Sequence, residues 1–161
     1  KGLISQGVSK PVFTTYSNAD ATTISNFAAD YASAANKFPV YSNAWVDLSD
    51  AEEVNTFVEG MTNYGEPDYA ANAFAMAGWI AGHFLCEGLK RTEGQTLNWE
   101  NFMKAMESAE FKIPMGGTVS YANGQRLGTQ AMSLLKVTED GSAWVNVKPV
   151  EDLNDIINRV K

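Results

Sequence analysis

The stretch from Phe111 to Val147, FKIPMGGTVSYANGQRLGTQAMSLLKVTEDGSAWVNV, reads as a strand meander entered directly from a long, almost wholly apolar helix. Thr118, Val119, Ser120 and Tyr121 alternate with the two-residue period of a half-buried strand. Asn123-Gly124 supplies residues that tolerate positive φ in a tight hairpin turn. The next apolar run, Gln130 to Val137, predicts a second strand. Asp140-Gly141 closes another turn, and Trp144 to Val147 predicts a third short strand. Val150, Leu153, Ile156, Ile157 and Val160 then recur at the spacing of a C-terminal helix.

Upstream, the pattern is the alternation of an α/β protein. Val12 to Thr15 are β-prone, follow Pro11 and run into the polar Tyr16-Ser17-Asn18, which predicts a short buried strand ending in a loop. Asn18 or Asp20 is placed to cap a helix whose apolar face carries Ile24, Phe27, Ala28, Tyr31 and Ala35. Pro39 to Leu48 predicts a second extended segment. Ser49 with Glu52 has capping-box spacing and opens a helix through Val54, Phe57, Val58 and Met61. Loops beyond the carboxyl ends of strands host ligands in open α/β sheets, so Tyr16, Ser17 and Asn18 are the first candidate site.

Composition narrows function. The 161 residues are 45% hydrophobic, enough for a core. A formal charge of −7, with 12 scattered basic residues, argues against a nucleic-acid partner, whose binding depends on phosphate neutralisation. Cys86 is the only cysteine, so neither an internal disulfide nor a Cys-based metal site can form. No basic and apolar leader precedes Lys1, so an export signal is expected outside this segment.

The apolar stretch from Tyr69 to Cys86 approaches the length of a bilayer span. Asn72 and His83 interrupt it, however, and charged residues flank it without an aromatic belt, so it reads as a buried helix with a low-relief Gly78/Gly82 face. His83 is the only histidine, and no G-x-S-x-G elbow, P-loop or G-x-G-x-x-G fingerprint occurs. Asp47, Asp50, Glu52 and Glu53 cluster at a helix start, where the helix dipole favours negative charge without any metal or acid/base role. No catalytic residue, metal site or cofactor is expected.

Four stretches in order, Lys10 to Asn18 (KPVFTTYSN), Trp45 to Phe57 (WVDLSDAEEVNTF), Tyr64 to Arg91 (YGEPDYAANAFAMAGWIAGHFLCEGLKR) and Gly116 to Gly128 (GGTVSYANGQRLG), resemble the later part of type I extracytoplasmic solute-binding proteins of ABC importers, the group of the leucine/isoleucine/valine-binding protein. The resemblance implies part of a two-lobe α/β fold: a second-lobe segment at 1–68, a first-lobe segment at 69–114, second-lobe return strands at 115–149 and a C-terminal helix at 150–161. It implies capture of a small polar molecule, an amino acid or related organic acid or amide, and its delivery to a permease, outside the cytoplasm in the periplasm or as a cell-surface lipoprotein. It also implies that Tyr16, Ser17, Asn18 and Phe74 touch the ligand. In amino-acid-binding members an acidic residue in this loop pairs with the ligand's ammonium group. Here that position falls near Ser17, whose hydroxyl cannot neutralise a cation.

Two other classes share such architecture: the ligand-binding sensor domain of a membrane receptor or transcriptional regulator, and an enzyme on an α/β scaffold. Flanking sequence would discriminate the first and turnover of metabolites the second. The segment alone is further expected to self-associate over bare apolar helix faces and to lack ligand binding.

Overall fold

In the computed structural model, which describes residues 1–161, the two-residue alternation of the strands becomes a sheet with one covered face. Four strands, β1 (Val12–Thr14), β2 (Val40–Ala44), β5 (Ala131–Val137) and β6 (Trp144–Asp152), lie side by side in the order β1-β2-β5-β6. The β1–β2 pair is parallel, joined by the short helices α2 (Ala21–Ser25) and α3 (Ala28–Ser33), as a parallel pair requires a crossover. The other pairs are antiparallel, with Ser42 opposite Leu135 and Ala44 opposite Ser133, all four buried on the same face. Ile24, Tyr31 and Val137 form the cluster on that face, with Phe27, Val40 and Trp144 packed around it. The Tyr31 hydroxyl donates to the Phe38 carbonyl at 2.7 Å. The β5–β6 turn needs Gly141: its φ is +72°, and a Cβ there would sit 3.1 Å from the Ala28 carbonyl.

A second cluster gathers Phe57, Met76, Ile80, Ile113, Met115 and Val119. These come from α4 (Ala51–Tyr64), α5 (Ala73–Arg91) and a small hairpin in which β3 (Phe111–Lys112) pairs with β4 (Thr118–Val119). Helix α6 (Trp99–Glu107) lies on α5 where Gly88 leaves no room for a side chain: a Cβ would be 2.2 Å from the Phe102 ring. Arg91 locks the end of α5, bonding Glu87 at 2.7 Å and donating to the Ala109 carbonyl at 2.6 Å, with its guanidinium 5.1 Å above the Phe111 ring. The short helices α1 (Gly2–Ser5) and α7 (Leu153–Val160) complete the chain. No helix is long and apolar enough to cross a membrane.

Several local expectations change. The meander is two separate sheets: β4 turns back on β3 through Pro114–Gly117, so Asn123-Gly124, although both adopt positive φ, closes no hairpin with β5. The helix expected across Ile24 to Ala35 breaks at Asn26–Phe27 into α2 and α3. Asp20 caps α2, whereas Asn18 bonds back to Thr14. Asp50, not Ser49, caps α4, since Ser49 is held by Asp47. The long helix begins at Ala73, after Asn72 caps it. Strand β6 runs to Asp152, which takes Val150 out of the C-terminal helix. Finally, α4 buries Phe57 with α5, and the β3–β4 hairpin joins the same cluster. One buried cluster thus draws on α2, α3 and the four-stranded sheet, and the other on α4, α5 and the β3–β4 hairpin.

Three expected outcomes follow from this packing. Trp99 is 75% exposed, and Leu85 and Met103 line an open apolar hollow, so the 161-residue chain should self-associate with rising concentration by light scattering. Gly88→Ala should cost about 1–3 kcal/mol in urea unfolding by forcing Phe102 aside. Hydrogen bonds from the Thr138 and Ser142 hydroxyls and the Ser142 N–H hold the Asp140 carboxyl at about 2, below its ordinary 3.8. A depressed folded pKa adds stability above the unfolded value that is lost as pH falls towards 2, so Asp140→Asn should flatten the acid dependence of unfolding between those limits.

Candidate functional site

The two clusters face each other across a groove of about 350 Å3. On the sheet side its wall is the chain leaving β1, from Ala19 to Ile24, together with Ala143 and Trp144. The opposite wall is built from Val46, Leu48, Val54 and Val58 and from the start of α5, Ala70 to Met76. Each wall follows from local sequence. After β1, a single helical turn at Tyr16–Asn18 brings Asp20 to its capping position, where Oδ1 accepts from Thr23 N at 2.9 Å and Oδ2 from Thr23 Oγ1 at 2.6 Å. At α5, Asn72 Oδ1 accepts from the N–H groups of Phe74 and Ala75 at 2.9 and 3.1 Å. The run Ala70–Ala71 before the cap carries no bulk that would close the groove.

The sequence-expected site residues are neighbours in the chain of residues that line the groove. The turn Tyr16–Asn18 touches α5, and it immediately precedes the wall residues Ala19 and Asp20, just as Phe74 lies between the wall residues Ala73 and Met76. Tyr16 is 46% exposed and Phe74 is 63% exposed. Ser17 is half-buried with its hydroxyl 2.6 Å from that of Thr15. Asn18 Nδ2 donates to Thr14 Oγ1 at 2.6 Å, which leaves its carbonyl oxygen without a partner. None of the four lines the groove itself. The lining side chains that sequence reasoning missed as site residues are Ile24, Val46, Leu48, Met76 and Trp144. They read as core positions, and only the placement of two clusters on either side of one gap distinguishes them.

A polar seam joins the two clusters. Ser133 Oγ donates to the carbonyls of Ala44 and Val46 at 3.2 and 3.1 Å. Asp47 N donates to the Met115 carbonyl at 2.5 Å, and Asp47 Oδ1 accepts from Asn146 Nδ2 at 2.8 Å. The Met115 N–H is in turn taken by Glu53, whose other oxygen lies 3.1 Å from Lys112 Nζ. That carboxylate raises the Lys112 pKa.

The family model described as periplasmic binding protein matches residues 1–142. The chain belongs to the periplasmic binding protein family. No curated protein matches it. Among solved structures it is similar to a fatty acid ABC transporter substrate-binding protein from Thermomonospora curvata, with a TM-score of 0.66 and 12% identity. The superposition covers 93% of this chain and 39% of that one. At this identity the likeness concerns the fold. In this periplasmic binding protein, then, the groove lies between two hydrophobic clusters, and the Tyr16–Asn18 turn, which precedes one of its walls in the chain, touches α5.

Asp20→Ala should test how far the sheet-side wall depends on its cap. The expected loss is about 1 kcal/mol in chemical denaturation, with the helical content of the rest of the chain unchanged by circular dichroism. A loss of several kcal/mol would mean that the carboxylate holds more than α2.

Proposed function

We propose that the chain is the later part of an extracytoplasmic solute-binding protein of an ABC importer, which captures a small organic molecule between two lobes and hands it unchanged to a membrane permease. The carrying observation is the contact of the turn after β1 with α5, next in the chain to a groove that separates two hydrophobic cores. Membership of the periplasmic binding protein family supports the same reading. It favours a non-enzymatic role and a location in the periplasm or at the cell surface as a lipoprotein.

The solute class is an organic acid, amide or amino acid. The leucine/isoleucine/valine-binding group motivates the amino acid, and the fatty-acid-binding neighbour widens the class towards organic acids. Ser17 in place of an acidic residue weighs against a ligand held by its ammonium group. Tyr16, Ser17, Asn18 and Phe74 are the proposed contacts. Closure of the two bodies gives the solute contacts that the open form lacks, so the solute stabilises the closed form by its differential affinity.

Calorimetry on the protein as its source cell makes it, against amino acids, their amides and simple carboxylates, should find one class that binds and is recovered chemically unchanged. Replacing Tyr16, Ser17 and Asn18 together by Ala should weaken that binding by about tenfold or more, the loss of one to two hydrogen bonds. The unfolding midpoint should move little, since these side chains are exposed or half-buried. Unaltered affinity would remove the turn from the site, and turnover of a bound compound would contradict the transport reading.

A further inference from the structure

Between the turn and the seam, the groove is walled almost wholly by aliphatic and aromatic side chains. Its only carboxylate is Asp20, which is buried and already engaged through both oxygens by Thr23. The other polar side chain of the wall is Ser142, whose hydroxyl is bonded to Asp140 at 2.8 Å. Trp144 adds an indole N–H that is buried with no acceptor around it, and the Asn146 amide oxygen two residues on is likewise buried without a donor. Asp20 is the one wall residue whose charge could pair with an ammonium group, and its two oxygens are turned to the Thr23 N–H and hydroxyl at the start of α2. A charge placed there without a partner would lose its hydration uncompensated, whereas an alkyl or aryl body would exchange water for contact with Ile24, Leu48, Val58 and Met76. The volume of about 350 Å3 falls within the range of small-molecule sites.

Resting on the solute-binding reading above, we infer that the solute is amphipathic: an apolar body of several carbons fills this groove, and a hydrogen-bonding head remains at the Tyr16–Asn18 turn. The free carbonyl oxygen of Asn18 and the exposed Tyr16 hydroxyl are the groups offered to that head. The body, not the head, then determines which members of a chemical class are taken. A zwitterionic amino acid fits only through its side chain.

The test is a homologous series of unbranched carboxylates from acetate to decanoate and the matching primary amides, titrated calorimetrically into the protein as its source cell makes it. The dissociation constant should fall by about fourfold for each added methylene until the groove is full. Ala143→Trp and Ala71→Trp fill the groove from opposite walls at exposed positions, and thermal unfolding reports whether each variant is folded. Either folded variant should flatten the slope. A series that is flat in the unsubstituted protein, a slope that both folded fillers leave unchanged, or binding by no member of either series overturns the inference. If amino acids bind with no dependence on side-chain length and lose affinity in the Tyr16/Ser17/Asn18 alanine variant, solute capture stands and only the apolar-body inference falls. If no solute of any class binds, the functional reading falls with it.

Discussion

The chain has to leave one hydrophobic core and enter another without burying unpaired backbone, and Asp47 is where it does so. Its N–H reaches the Met115 carbonyl in the second body, while its carboxylate holds the Asn146 amide of the sheet and the Ser49 N–H that starts the approach to α4. Ser133 takes up the carbonyls of Ala44 and Val46 alongside. Buried main-chain groups require such partners, and here three distant segments supply them to one crossing. The two bodies are tied at this seam and separated by the groove beyond it.

The second body also carries a local cost at the seam. Met115 is fully buried and adopts φ +52°, a conformation that costs a residue with a side chain on the order of 1 kcal/mol. Its position inside the cluster with Phe57 and Ile80 and the acceptance of its N–H by Glu53 offset that cost. Glu53 thus links the first turn of α4 to the β3–β4 hairpin and, through Lys112, to its strand. The acidic cluster that the sequence presents at this helix start accordingly divides its labour: Asp50 caps, Glu53 braces the hairpin and Asp47 joins the bodies.

Much of the fold was legible because the signals were local. The apolar run at Ala131–Val137, the Asp140-Gly141 turn and the apolar spacing of α4 and α5 each fix a local structure by burial or backbone freedom. What was not legible depended on pairing at a distance. Thr118-Val119 is β-prone whichever partner it takes, and only Phe111 and Lys112 returning through Pro114–Gly117 decide that it joins β3. Val54 and Val58 have the spacing of any amphipathic helix, and nothing local says that their neighbour Phe57 packs with α5 and not on the sheet. For the site, the polar turn Tyr16–Asn18 was visible as loop chemistry after a strand. The apolar walls were not, because Ile24, Leu48 and Met76 look like core in sequence and become a groove only when two cores stop short of each other.

Hydrogen–deuterium exchange on the protein as its source cell makes it, with and without saturating solute, tests the two-body account most directly. If the solute is held between the bodies, the amides of Tyr16 to Ile24 and of Ala70 to Met76 should slow together, while those of the α6 surface around Trp99 and Met103 stay unchanged. Protection confined to one of the two segments, or appearing at the α5–α6 surface instead, would contradict capture between the bodies.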